Sequence, residues 1–298
     1  MKNYVIASLI MCFGLLAGCS KNSTDTEKEI PVDKSANLLG TGDSAADILS
    51  NDRFDKLLIE VGHVAGFKPT PSTMDAFVNF IKRYTFKQNI EIVYNELESP
   101  GEETLTLQEI ADLESDNRTV YNSGNTLAMY IYFADAPSDD DDENEELVTL
   151  GAVYRNTSMV IHEVTVRELA GQSPIISNAD VEIATLNHEF GHLFGLVNLG
   201  SPSVNDHEGT TLDNNGNEIG NNHCTVEGCL MRAELQLGTS GKTAPSAKNI
   251  DPVGPHSSCS LSGSSVLQML QNKASKGAVA APGLDNECIL DLQANGGR

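Results

Sequence analysis

The chain has no tryptophan, and aromatic residues make up only 5% of its 298 positions, so any core must be filled mainly by aliphatic side chains. Basic residues are also scarce: 19 Lys+Arg stand against 42 Asp+Glu, a formal charge of -23. That imbalance argues against nucleic acid or anionic lipid headgroups as partners. No stretch is long and apolar enough to cross a bilayer; the apolar run at residues 4–18 is shorter than the ~20 residues a spanning helix requires. Internal repeats are absent. A calcium loop is missing as well, because the acidic run 139–146 lacks alternating ligands and a central glycine, and reads as a solvated loop. The stretch 212–222 places oxygen-bearing side chains around Gly216, where turn chemistry is the better account and calcium the weaker one.

At the N-terminus Lys2 precedes the short apolar run, which ends in small residues, the pattern of a secretory signal. Leu16-Ala17-Gly18-Cys19 resembles the bacterial lipobox. The resemblance implies a signal peptide over residues 1–18, a lipid anchor on Cys19 and a place in the cell envelope. Ser20 after that cysteine points to the outer membrane. Residues 19–50 are polar without hydrophobic periodicity and read as a flexible tether, leaving 51–298 as the folded domain. Of six cysteines, Cys12 leaves with the signal and Cys19 takes lipid, so Cys224, Cys229, Cys259 and Cys288 remain. In an exported protein four cysteines suggest two disulfides, of which Cys224–Cys229 and Cys259–Cys288 are the favoured pairing. A structural zinc on the same thiolates is the rival.

Hydrophobic patterning supports an α/β order. Residues 56–66 read as a strand stopped by Gly66 and Pro69. Met74, Phe77, Val78, Ile81 and Tyr84 recur at helical spacing behind Ser72 or Thr73 as N-cap. Residues 90–97 form a second strand, and Thr106 caps a short helix. The segment "TLAMYIYFAD" is the strongest strand. Residues 150–164 read as a hairpin turning at Asn156.

The chemistry concentrates in "TLNHEFGHLFGLVNLGSP", residues 185–202. Residues four apart stack on one helix face, so His188 and His192 present two imidazoles together, with Glu189 one position round the helix. Two imidazoles and a carboxylate are the minimum for metal-assisted hydrolysis, in which Glu189 moves the proton of a water held at the metal. Gly195 lets the helix end in a left-handed residue and turn sharply. The stretch from His188 to Asn198 resembles the metzincin zinc-peptidase motif up to its last position, and Cys224-x4-Cys229-x-Met231 resembles the Met-turn segment of the archaemetzincin branch. The resemblance implies a metzincin-like zincin domain: a twisted mixed sheet over an active-site helix, with a smaller C-terminal subdomain and Met231 beneath one Zn2+. In that branch the cysteine segment follows the helix closely, whereas here about twenty-five residues intervene.

Asn198 occupies the position of the third ligand, and its neutral amide is a poor one for zinc. His207 is the favoured replacement, ahead of Asn198 or Asp206 and of His223. A gluzincin-type site using Glu208 or Glu218 accounts less well for Gly195 and Met231. The reading is a monomeric, membrane-anchored zinc metallopeptidase acting on peptide or protein substrates, with the strand at "TLAMYIYFAD" beside the cleft. The alternative is an inactive surface binding module on the same scaffold.

Overall fold

The computed structural model describes residues 33–141, 147–200, 202–213, 215–232, 258–277 and 281–298. The signal peptide, Cys19, the first part of the tether and the Cys259 side chain lie outside the described residues. In chain order the strands are β1 (Lys56–Val64), β2 (Asn89–Leu97), β3 (Thr126–Ala134), β4 (Leu147–Arg155), β5 (Ser158–His162), β6 (Glu208–Leu212), β7 (Glu218–Cys224) and β8 (Ser258–Ser262). The helices are α1 (Ala45–Leu49), α2 (Pro71–Tyr84), α3 (Leu107–Asn117), α4 (Glu163–Gly171), α5 (Asn178–Leu193), α6 (Gly263–Ser275) and α7 (Asn286–Ala294).

Six strands form one mixed sheet in the order β2-β1-β3-β5-β4-β8. β1 runs parallel to β2 and β3, and β3 parallel to β5. β4 reverses direction, antiparallel to both β5 and β8. β3 reads as an unbroken apolar run because both of its faces are covered. Leu127, Met129, Ile131 and Phe133 point into the main core with α2, α4 and α5, while Tyr130, Tyr132 and Ala134 pack on the opposite side under α3. Period-two alternation thus survives as a division between two buried layers. One expectation fails here. β3 is flanked by β1 and β5, so it has no open edge beside a cleft.

The helix that carries the motif is fixed at both ends and along its length. Ser177 and Asp180 form a reciprocal capping box, with Ser177 Oγ accepting from Asp180 N and Asp180 Oδ2 accepting from Ser177 N; such a cap stabilises a helix by ~1 kcal/mol. Phe190 meets Phe77 edge-on at 5.0 Å between centroids, and Phe194 stacks on Phe80 at 6.0 Å. The apolar stripe of α2 is therefore the bed on which α5 lies. The N-cap of α2 is Thr70, whose hydroxyl accepts from Thr73 N, rather than Ser72 or Thr73. Pro71 explains the shift: at the first helical position its missing N–H costs nothing and its φ is already helical.

One boundary also differs from expectation. Residues 33–50 are not all tether: Ile48 and Leu49 of α1 are buried in the core, and buried Asn156 donates to Ala36 O and Ser44 Oγ. The residues beyond α5 belong to the same compact unit as the sheet. Asp33–Arg298 is one compact unit, in which β8 returns to the large sheet while β6 and β7 pair as a two-stranded hairpin.

Candidate metal centre and catalytic residues

α5 ends by a Schellman turn two positions after the second motif histidine's neighbour Leu193. Gly195, at φ +78°, donates to His192 O, and Leu196 N donates back to Gly191 O. Val197 and Asn198 follow with φ of 58° and 66°, left-handed values that cost a β-branched residue such as Val of order 1–3 kcal/mol. This turn swings the chain off the helix axis immediately past His192.

Three imidazoles converge there. One ring nitrogen from each of His188, His192 and His223 lies within 4.8 Å of the others. Ring centroids are 4.9 Å apart for His188–His192 and 5.4 Å for His223 from each of the two. His188 Nδ1 donates to Leu230 O at 2.8 Å and His223 Nδ1 to Asn221 O at 2.6 Å, which turns each Nε2 lone pair toward the group. Burial holds all three rings neutral. It pushes His188 down to about 3, with His223 adding to the effect, and His223 down to about 4; His192 falls well below the ordinary value through burial and then its two neighbours. Neutral, oriented imidazoles are the ligand form.

His207 does not join them. It is buried elsewhere, with Nε2 on Asp291 Oδ2 at 2.7 Å and Nδ1 near Cys224 Sγ at 3.3 Å. Burial lowers its pKa, and the Asp291 and Cys224 contacts outweigh this, leaving it raised. A ring with both nitrogens engaged, one of them on a buried carboxylate, is placed as a structural pin rather than as a member of the three-imidazole group. Asn198 is also outside the group: its amide donates to Glu208 Oε2, and it accepts from Ser203 Oγ at 3.0 Å.

Glu208 explains how His223 comes home from so far along the chain. Besides Asn198 it accepts from Asn222 N at 2.9 Å through its other oxygen. One carboxylate thus clamps residue 198, where the chain leaves the glycine turn, to residue 222, where it returns. The intervening residues run out as the β6–β7 hairpin, so His223 returns to the two helix histidines. Replacing Glu208 by Ala should weaken zinc at the three-histidine group by about 10–100-fold, as loss of a ligand-orienting contact does. Competition with a chromogenic chelator measures this; unchanged affinity would show that the hairpin needs no clamp.

Glu189 is buried between helix and sheet. Gly151 of β4 makes room for it: a Cβ at that position would lie 2.9 Å from Glu189 Cγ and 3.0 Å from Thr185 Cγ2. Met231 lies below the motif, fully buried, with its sulfur 2.2 Å from where a Cβ on Gly191 would stand. Gly191→Ala should therefore destabilise the fold. Overpacking costs ~1–3 kcal/mol, against ~1 kcal/mol of better helix propensity, and each net kcal/mol lowers Tm by roughly 2–4 °C in a domain of this size. A Tm raised by the helix-propensity gain alone would mean Met231 is not seated there.

The four-cysteine reading needs correction too. Cys224, Cys229 and Cys288 are free thiols, so neither the Cys224–Cys229 nor the Cys259–Cys288 bridge forms. Val226 N donates to Cys224 Sγ and Met231 N to Cys229 Sγ, both at 3.3 Å. These bonds turn both sulfurs toward the start of α7, where Cys224 Sγ meets Asp285 Oδ2 at 3.0 Å and Cys229 Sγ lies 3.6 Å from Cys288 Sγ. Cys224, Cys229, Asp285 and Cys288 form a second group with donor atoms within 4.8 Å of one another. Hydrogen bonds from Cys224 and Cys288 pull the Cys229 thiol down to about 5, while Cys288 is pushed up. Thiolate character at one sulfur and a carboxylate alongside suit a cation.

Neither a protein-family profile nor a curated protein matches the chain. Among solved structures it is similar to archaemetzincin from Methanopyrus kandleri, at 15% sequence identity and a TM-score of 0.42, over 80% of this chain and 94% of that one.

Proposed function

We propose that this chain is a zinc-dependent endopeptidase, with His188, His192 and His223 as the metal ligands and Glu189 as general base and then general acid. One observation carries the reading: three buried, neutral imidazoles converge, two of them from the helix that carries Glu189 and the third from β7, and among the described residues that group has no fourth protein ligand. A site meant only to hold structure closes its fourth position and has no use for a base, whereas a hydrolytic one keeps that position for water and substrate. Zinc bound there would acidify a water and polarise the scissile carbonyl. Glu189 would accept the water's proton and deliver it to the departing amine, and Gly151 would hold its side chain against the helix. His188 and His223 would stay oriented through Leu230 O and Asn221 O.

The thiol group has a different character. Cys224, Cys229, Cys288 and Asp285 supply four protein donors, the closed set of a structural zinc, and would tie the Met231 segment to α7. The lipobox-like Cys19 supports an anchor in the cell envelope, where peptides or proteins would be the substrates. No helix among the described residues is long and apolar enough to cross a membrane.

A peptide library incubated with the purified chain tests the reading. Internal cleavage that stops on chelation and returns with zinc is expected. A library left intact by a zinc-loaded, folded chain would favour the binding module.

A further inference from the structure

β4 packs against the proposed general base, since a Cβ at Gly151 would lie 2.9 Å from Glu189 Cγ. An extended peptide lying over that residue would gain most by adding to β4 as a further strand, because main-chain hydrogen bonds supply affinity without depending on sequence. A strand has two edges. One edge of β4 is paired to β5 through Gly151↔Ile161, Ala152↔Val160 and Val153↔Met159. The other carries β8, antiparallel, through Leu147↔Ser262, Val148↔Leu261, Thr149↔Ser260 and Ala152↔Ser258.

We propose that Ser258–Ser262 is an internal occupant of the peptide-binding edge of β4, so that the resting chain blocks its own cleft and a substrate must displace this strand. The proposal rests on the endopeptidase reading for the identity of the site. Its own support is topological: among the described residues both edges of β4 are paired, one to β5 and one to β8, and β4 is the strand whose Gly151 packs against Glu189. The pairing is built to yield. β8 is short and serine-rich, and its register with β4 breaks between Thr149 and Ala152, next to Gly151. The segment that follows is firmly anchored. Val266 and Leu270 of α6 are buried, Gln271 Nε2 donates to Ser173 Oγ at 2.8 Å, and Gly263 sits close against Val148 and Leu169. A displaced β8 therefore stays tethered at high effective concentration and returns when the peptide leaves.

The test uses the full chain and two variants, Ser260→Pro and Leu261→Pro. Successive N–H groups along a strand point to opposite edges, so one of the two prolines removes a donor on the β4 side. The probe is a labelled synthetic peptide copying residues 256–264. It should bind at least one variant about tenfold more tightly than wild type, and protect the amides of residues 147–152 from exchange. Library cleavage by that variant should show a lower KM with kcat little changed. Equal binding to wild type and both variants, or binding without protection of β4, overturns the proposal. Tighter binding with no cleavage by any form leaves β8 as the displaceable strand and defeats the peptidase reading instead. Should both variants fail to fold, exchange in the wild type decides. Excess probe peptide should expose the amides of Ser258–Ser262, and their continued protection overturns the proposal.

Discussion

His223→Ala should cost the chain the zinc at the three-histidine group and all measurable cleavage, whereas His207→Ala should keep that zinc and the activity. Loss of a residue that merely orients a ligand weakens metal binding ~10–100-fold. Loss of a ligand itself should exceed that, because two imidazoles from one helix leave the coordination set half empty. His207→Ala has a different penalty. It leaves the buried Asp291 Oδ2, 2.7 Å from the ring, without that partner, so the expected loss is in stability, by about 1–3 kcal/mol for a buried polar group left unpaired. Metal content after dialysis, beside thermal unfolding, separates the two. A folded His223→Ala chain that retains its full zinc would remove His223 from the site.

Glu189→Gln should lower kcat by about 10²–10⁴-fold, the usual contribution of a positioned general base. The amide is nearly isosteric with the carboxylate, so the space beside Gly151 stays filled and zinc content should not change. Single-turnover cleavage with metal analysis on the same sample measures both quantities. A variant that cleaves at the wild-type rate would transfer the base to another group, and one that loses zinc as well would make Glu189 a ligand or a support rather than a base.

Much of this site was legible in the sequence because it is local. His188, Glu189 and His192 share a helix, so their juxtaposition follows from a 3.6-residue repeat, and Gly195 marks the end of that helix through its own backbone freedom. Thr106 and the strand at residues 126–134 were equally plain, being set by capping chemistry and by burial on both faces. What could not be read was whatever depended on chain return. Loop length permits His207 or His223 to reach the helix. The choice is made by Glu208, which joins Asn198 to Asn222, and by Asp291, which draws His207 away; Asp291 stands 84 positions from that histidine. One signal did exist. His223 directly precedes the Cys224-x4-Cys229-x-Met231 segment, so wherever Met231 sits beneath the motif, His223 must sit close by. The thiols were misread for a similar reason: export suggested disulfides, but the Val226 and Met231 amides aim Cys224 and Cys229 at α7. β8 was hidden altogether, since a short polar strand has no apolar pattern to reveal it.

The most direct measurement is the zinc-edge anomalous signal from a crystal of the zinc-loaded chain. The account predicts one zinc on ring nitrogens of His188, His192 and His223, with Glu189 beside it but not bound, and a second on the Cys224, Cys229 and Cys288 sulfurs with Asp285. Zinc on His207, or no peak at His188 and His192, would contradict it.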